Sequence, residues 1–321
     1  MRRILYIALC FLLTVSTLTA CEKKTAQRKD NDKISIVATI FPPYDFARAI
    51  AGDKAEITML LPPGSETHSF EPTPQDIIKI QNCDVFIYIG GESDEWVKNV
   101  LNSMDISSMK IVTLTNCVEL VEEVVTEGMQ GEEEEHDEDK EGHEEHEYDE
   151  HVWTSPRNAK LIVQKISDVL CEVDTANASV YKQNTTDYSS KLDRLDSDFK
   201  AVAENAARKT IVFGDRFPFR YFADAYGLKY FAAFPGCSGE TEASAKTVKF
   251  LIDKINAEKI PVVFHIELGN ERMAAMISES TDAKVRTFHA CHNLTKADFN
   301  AGKTYLDFMT ANVETLKEAL Q

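Results

Sequence analysis

The chain has 321 residues, 43% of them apolar, and a formal net charge of −18. That is more than one small domain needs and enough for two compact lobes with buried cores. Thirteen acids and one lysine fall between Glu132 and Glu150, so the remainder is only mildly acidic, and no basic patch argues for nucleic acid.

The first residues read MRRILYIALCFLLTVSTLTAC. Arg2 and Arg3 form a charged start, and Ile4 to Val15 an apolar run too short for a comfortable membrane span. This is the pattern of an export signal, residues 1–20. Leu18-Thr19-Ala20-Cys21 resembles a bacterial lipobox, in which Cys21 carries lipid. Residues 21–33 are polar and read as a lipidated tether to the extracytoplasmic face of a membrane.

Strand and helix then alternate. ISIVATI, AEITMLL, DVFIYIG and KIVTLT are predicted strands. PYDFARAIAG, TPQDIIKIQN and DEWVKNVLNSM are predicted helices, the second with Thr73 as N-cap and Pro74 at its first position. Such alternation means a mostly parallel sheet with helices on both faces. The N-terminal lobe is taken as residues 34–175, including an acidic, histidine-bearing loop at 131–150.

A long linking helix is expected over 176–208. Its stripe of Tyr181, Thr185, Tyr188, Leu192, Leu195, Phe199 and Val202 steps 4-3-4-3-4-3. One helix packed across two lobes is preferred to a coiled-coil dimer, which makes the protein a monomer. The second lobe, 209–321, repeats the alternation with strands KTIVFG, KYFAAF, IPVVFHIEL and KVRTFH. The predicted fold is therefore two α/β lobes with mostly parallel sheets, joined by one long helix, with a cleft between them.

Ligands of such sheets sit beyond the carboxyl ends of strands. His68, Asp215, Glu267, His289 and His292 all lie there, and His151 opens the ordinary sequence after the acidic run. Several imidazoles and two carboxylates in one cleft make a metal centre, and imidazole-rich sets of low coordination number favour Zn2+. Each residue also has a plainer reading: a solvated loop histidine at His68, a helix cap at Glu267, surface residues at His289 and His292. His265 reads as core or as support for the site. Cys237 and Cys291 form a candidate disulfide in an exported chain. No CxxC is present, so a thiolate zinc cluster is not expected.

PPGSETHSFEPTP and HVWTSP together resemble the metal-binding lipoproteins of bacterial ABC importers, the zinc and manganese solute-binding family. The lipobox, DTANASVYKQNTTDYSSKL, AYGL at 225–228 and STDAKV at 280–285 extend the likeness over nearly the whole exported chain. The resemblance implies two α/β lobes bridged by a rigid helix with metal buried between them. It also implies delivery of the metal to an ABC permease. His68 matches the first ligand of that family and His151 the second. The third is expected after the strand ending near Gly214, where FGDRFPFRYF departs from the pattern and offers Asp215. His289 stands where the fourth, usually aspartate, is expected, with His292 its nearest competitor and Glu267 a further oxygen donor. This set favours Zn2+ over Mn2+, which remains the alternative metal.

His136, His143 and His146, set among the acids, read as a mobile, weak cation trap, against the plainer reading of a solvated linker. The leading function is a lipid-anchored zinc receptor, not an enzyme. A surface adhesin is one alternative. A zinc metallohydrolase is another, but HExxH and an evident nucleophile–base pair are lacking.

Overall fold

The structure is a computed structural model and describes residues 33–67, 69–130, 148–238 and 242–321. The expected signal segment, Cys21, almost all of the tether, His68, His136, His143 and His146 lie outside the described residues. Among the described residues, no helix is long and apolar enough to cross a membrane.

The first lobe holds β1 (Ile34–Ala38), α1 (Phe41–Ala51), β2 (Ala55–Met59), α2 (Pro74–Gln81), β3 (Val85–Tyr88), α3 (Glu95–Asn102) and β4 (Lys110–Thr113). Its sheet is parallel throughout, in the order β2-β1-β3-β4. The strands are short, and the central pair, β1 and β3, is mostly apolar and buried, as in a parallel sheet covered on both faces. At α2 the expected cap is present: Thr73 and Asp76 form a reciprocal capping box ahead of Pro74.

Two helices follow, α4 (Pro156–Val173) and α5 (Ala178–Glu204). At 27 residues α5 is about 40 Å long. It buries Tyr181, Thr185, Tyr188, Leu192, Leu195, Phe199 and Ala203. The stripe thus ends on Ala203 rather than the expected Val202. A straight helix turns every 3.6 residues, so a 3.5-residue seam drifts off the contact by its last turn.

The second lobe holds β5 (Thr210–Phe217), α6 (Arg220–Tyr226), β6 (Lys229–Pro235), α7 (Ala245–Glu258), β7 (Val262–His265), α8 (Glu271–Glu279), β8 (Lys284–Thr287), α9 (Lys296–Asn300) and α10 (Tyr305–Leu320). Its parallel order, β6-β5-β7-β8, repeats that of the first sheet. The helix α5 packs against α1, α4 and α10. One apolar core runs from Ile34 to Leu320 through both lobes.

β5 runs three residues past its predicted end at Gly214. The pairing of β5 with β6 shifts between Phe213 and Arg216, a bulge that absorbs one extra residue. Gly214 is required there by close packing, since a Cβ would lie 2.8 Å from the backbone Cα of Ala274 in α8.

Candidate metal centre

His151 is fully buried in the turn before α4. Asp149, two residues earlier, fixes it twice: its Oδ1 accepts the His151 backbone N–H at 2.7 Å and lies 3.0 Å from Nδ1. With Nδ1 held by a carboxylate, Nε2 is the nitrogen that would face a metal. Burial disfavours the imidazolium, but the carboxylates of Asp149, Glu150 and Glu123 outweigh it and hold the ring's pKa above the ordinary histidine value. Gly236 presses on the same ring, where a Cβ would lie 2.9 Å from Cε1.

The second lobe supplies His292. Its ring meets His151 edge to face, with centroids 4.8 Å apart, and both rings abut Trp153 at 5.5 and 5.3 Å. Trp153 is itself fixed, because Nε1 donates to Ala290 O at 2.7 Å and its carbonyl accepts from Tyr305 Oη at 2.7 Å. Cys291, buried and left-handed with φ 63°, turns the chain between Ala290 and His292.

Glu267, just past β7, holds that turn. Its two carboxylate oxygens accept the backbone N–H groups of Ala290 at 2.6 Å and His292 at 2.8 Å. Oε1 lies 3.9 Å from His292 Nδ1, and burial pushes the Glu267 carboxyl up to about 7. Asp215 sits in the β5 bulge rather than beyond the strand. Its oxygens accept from Arg216 N at 2.8 Å and Ile266 N at 3.1 Å, and burial raises its pKa. Both carboxylates therefore serve the backbone of the second-lobe loops. A cavity of about 20 Å³, room for one water or small ion, is lined by Thr67, Glu267, His292 and Asn293.

His289 is not brought to this cluster by its ring contacts. Phe288 is fully buried among aromatic rings, 4.9 Å from Phe219 and 5.1 Å from Phe264, which turns the next side chain to the other face. The His289 ring packs 4.8 Å from Phe308 of α10, and its backbone exchanges hydrogen bonds with Asn312. Burial lowers its pKa to about 4. The histidine that meets His151 is His292. The His265 ring is engaged elsewhere, with Nε2 3.0 Å from Thr287 Oγ1 and Nδ1 3.0 Å from Ile266 O.

The Cys237–Cys291 disulfide is not formed; both are free thiols. Cys291 is buried in the His292 turn, whereas Cys237 lies beside His151, where the ligand atoms of Glu150, His151 and Cys237 fall within 4.8 Å of one another. Glu150 is occupied by Ser93, whose N–H and Oγ both donate to it. Burial and the neighbouring Glu150, Glu123 and Asp149 keep the Cys237 thiol far above its ordinary range, hence protonated.

Three residues that build the centre carry little signal in the sequence. Asp149 is one acid among thirteen. Glu123 lies in an unremarked stretch yet accepts from Gly236 N at 2.7 Å, tying the lobes beside His151. Asn293 is marked only by its place after His292. Trp153 had a signal, its place in HVWTSP.

Residues 36–319 match the family described as zinc-uptake complex component A, periplasmic. The chain is 32% identical over 314 residues to the high-affinity zinc uptake system protein ZnuA of Bacillus subtilis, covering 98% of this chain and 96% of that one. It is 31% identical over 315 residues to the zinc-binding lipoprotein AdcA of Streptococcus pneumoniae, covering 98% of this chain but 60% of AdcA. The crystal structure of the Zn(II)-bound ZnuA-like domain of that AdcA superposes with a TM-score of 0.73 at 28% identity, over 90% of this chain and 99% of the domain.

Proposed function

We propose a function from one premise: the chain belongs to the zinc-uptake complex component A family. It is a solute-binding protein that captures Zn2+ outside the cytoplasm and passes it to an ABC-type importer, without catalytic turnover. The observation that carries this reading is the pair of imidazoles, His151 and His292, 4.8 Å apart and drawn from different lobes. A ring from each lobe in contact is what a site that closes around one ion needs, and Zn2+ would ask each ring to present a nitrogen at roughly 2.0–2.1 Å.

In this reading His151 and His292 are ligands, and His68 joins them by its position in PPGSETHSFEPTP. Asp215 and Glu267 position the second-lobe loops, since their oxygens already accept backbone N–H groups. A set rich in nitrogen favours Zn2+ over Mn2+. His289 stands outside the set. Cys21 anchors the chain to lipid. The acids and histidines of 131–147 concentrate cations near the cleft without forming the tight site. The lobes are residues 34–175 and 209–321, bridged by 176–208.

The test is metal competition against a chelator. Wild-type protein should hold Zn2+ far more tightly than Mn2+, and deletion of 132–147 should leave that affinity nearly intact. A triple His68→Ala, His151→Ala, His292→Ala variant that retained zinc undiminished would overturn the reading. A strain lacking the protein should grow poorly without zinc and recover when zinc is added.

A further inference from the structure

The segment carrying His292 follows β8 of the second sheet, yet most of its polar contacts reach the first lobe. Ala290 O accepts from Trp153 Nε1 at 2.7 Å, His292 O from Phe41 N at 3.3 Å, and Leu294 O from Gly64 N at 2.8 Å. Asn293 completes the set. It is 2% exposed, and its Nδ2 donates to Pro62 O at 2.9 Å and to Ser65 O at 2.8 Å. Its Oδ1 accepts from Leu294 N at 2.9 Å. Both amide hydrogens are spent on one turn, Pro62–Ser65, in which Gly64 is left-handed at φ 84°.

From the other side, Glu267 holds the same segment through the N–H groups of Ala290 and His292. His292 is thus suspended between two anchors. Glu267 ties it to the second sheet, and the Asn293 side chain, with the carbonyls of Ala290, His292 and Leu294, ties it to the first lobe, where His151 resides. The cavity beside His292 lies at this junction, with Thr67 and Asn293 in its wall. A second tie, Arg216 to Glu66 at 3.1 Å, closes the same rim, but Glu66 is 43% exposed, so solvent weakens it.

We infer that Asn293 is a positioning residue of the metal centre: its amide clamps the His292 segment to the Pro62–Ser65 turn and so sets the spacing of the imidazoles. This rests on the zinc reading above. Metal ligands tolerate displacements of only about 0.5 Å, so a clamp on the residue next to a ligand acts on affinity and not only on fold.

Two variants separate these effects. Asn293→Asp keeps the volume and the acceptor for Leu294 N but sets a carboxylate against two carbonyls. Asn293→Ala removes every bond. Each is measured with its fold verified by circular dichroism, by zinc competition, and by the visible absorption of bound Co2+, whose intensity reports coordination geometry. Both should lose about 10–100-fold in zinc affinity, the usual effect of losing a group that orients a ligand, with an altered Co2+ spectrum. Glu66→Gln should change affinity by less than about fivefold. Wild-type affinity together with a wild-type Co2+ spectrum in the folded Asp variant would overturn the role of Asn293 alone. Failure of the wild-type protein to hold zinc would overturn the zinc reading beneath it.

Discussion

The rings of His151 and His292 lie edge to face at 4.8 Å, although 141 positions separate them in the chain. One comes from the turn ahead of α4, the other from the turn beyond β8. The ring three residues before His292 has a different fate, against Phe308. His292→Ala should therefore weaken zinc binding by more than about 100-fold, beyond what loss of an outer partner produces. His289→Ala should leave zinc affinity within a few fold. Chelator competition on the two variants decides the assignment, and the reverse order of effects would refute it.

Asp149 orients His151 through Nδ1 and raises its pKa. Zinc binds the neutral ring, so the proton competes with the metal, and the raised pKa makes that competition begin above the ordinary histidine value of 6.5. Zinc affinity should fall steadily as pH is lowered from about 8 to about 5. In Asp149→Asn the same fall should begin at lower pH, while affinity at high pH drops about 10–100-fold because the ring has lost its orienting carboxylate. Calorimetry in buffers of different ionisation enthalpy should register proton release on binding. A pH-independent affinity would exclude imidazole ligation.

His289 makes a separate prediction about stability. Its folded pKa is about 4, below the ordinary 6.5, so between those values the unfolded chain takes the proton and the folded chain does not. Stability therefore falls as pH drops through that window. His289→Gln should flatten this part of the stability profile, read from denaturant unfolding at a series of pH values. An unchanged slope would mean that the ring titrates normally in the folded state.

Gly214 tests the bulged strand. A Cβ there would meet the Ala274 backbone at 2.8 Å. Because backbone cannot swing aside as a flexible side chain can, Gly214→Ala should cost about 1–3 kcal/mol, the range for overpacking a tight contact. Asp215 next to it holds Ile266 N, so part of that strain should reach the Glu267 turn and lower zinc affinity as well. Equilibrium unfolding of the metal-free protein measures the first effect, and zinc competition the second.

The local and periodic features could be read from the chain itself. Alternating apolar runs gave two parallel sheets, the spacing from Tyr181 to Phe199 gave the bridging helix, and Thr73-Pro74 gave a helix start. The helix start and the helix stripe follow from contacts a few residues apart, and the strands from the apolar runs themselves, all of which the order of side chains fixes directly. The choice between His289 and His292 was not of that kind. It depends on Phe288 entering an aromatic cluster, on the left-handed turn at Cys291, and on bonds from Glu267, Trp153 and Asn293 that span long stretches of chain. Likewise Asp149 is one acid in a run of thirteen, and the contact that marks it is the one with the His151 ring. Side-chain direction in a loop is set by whatever packs against it from elsewhere, so only the assembled lobes decided which imidazoles meet.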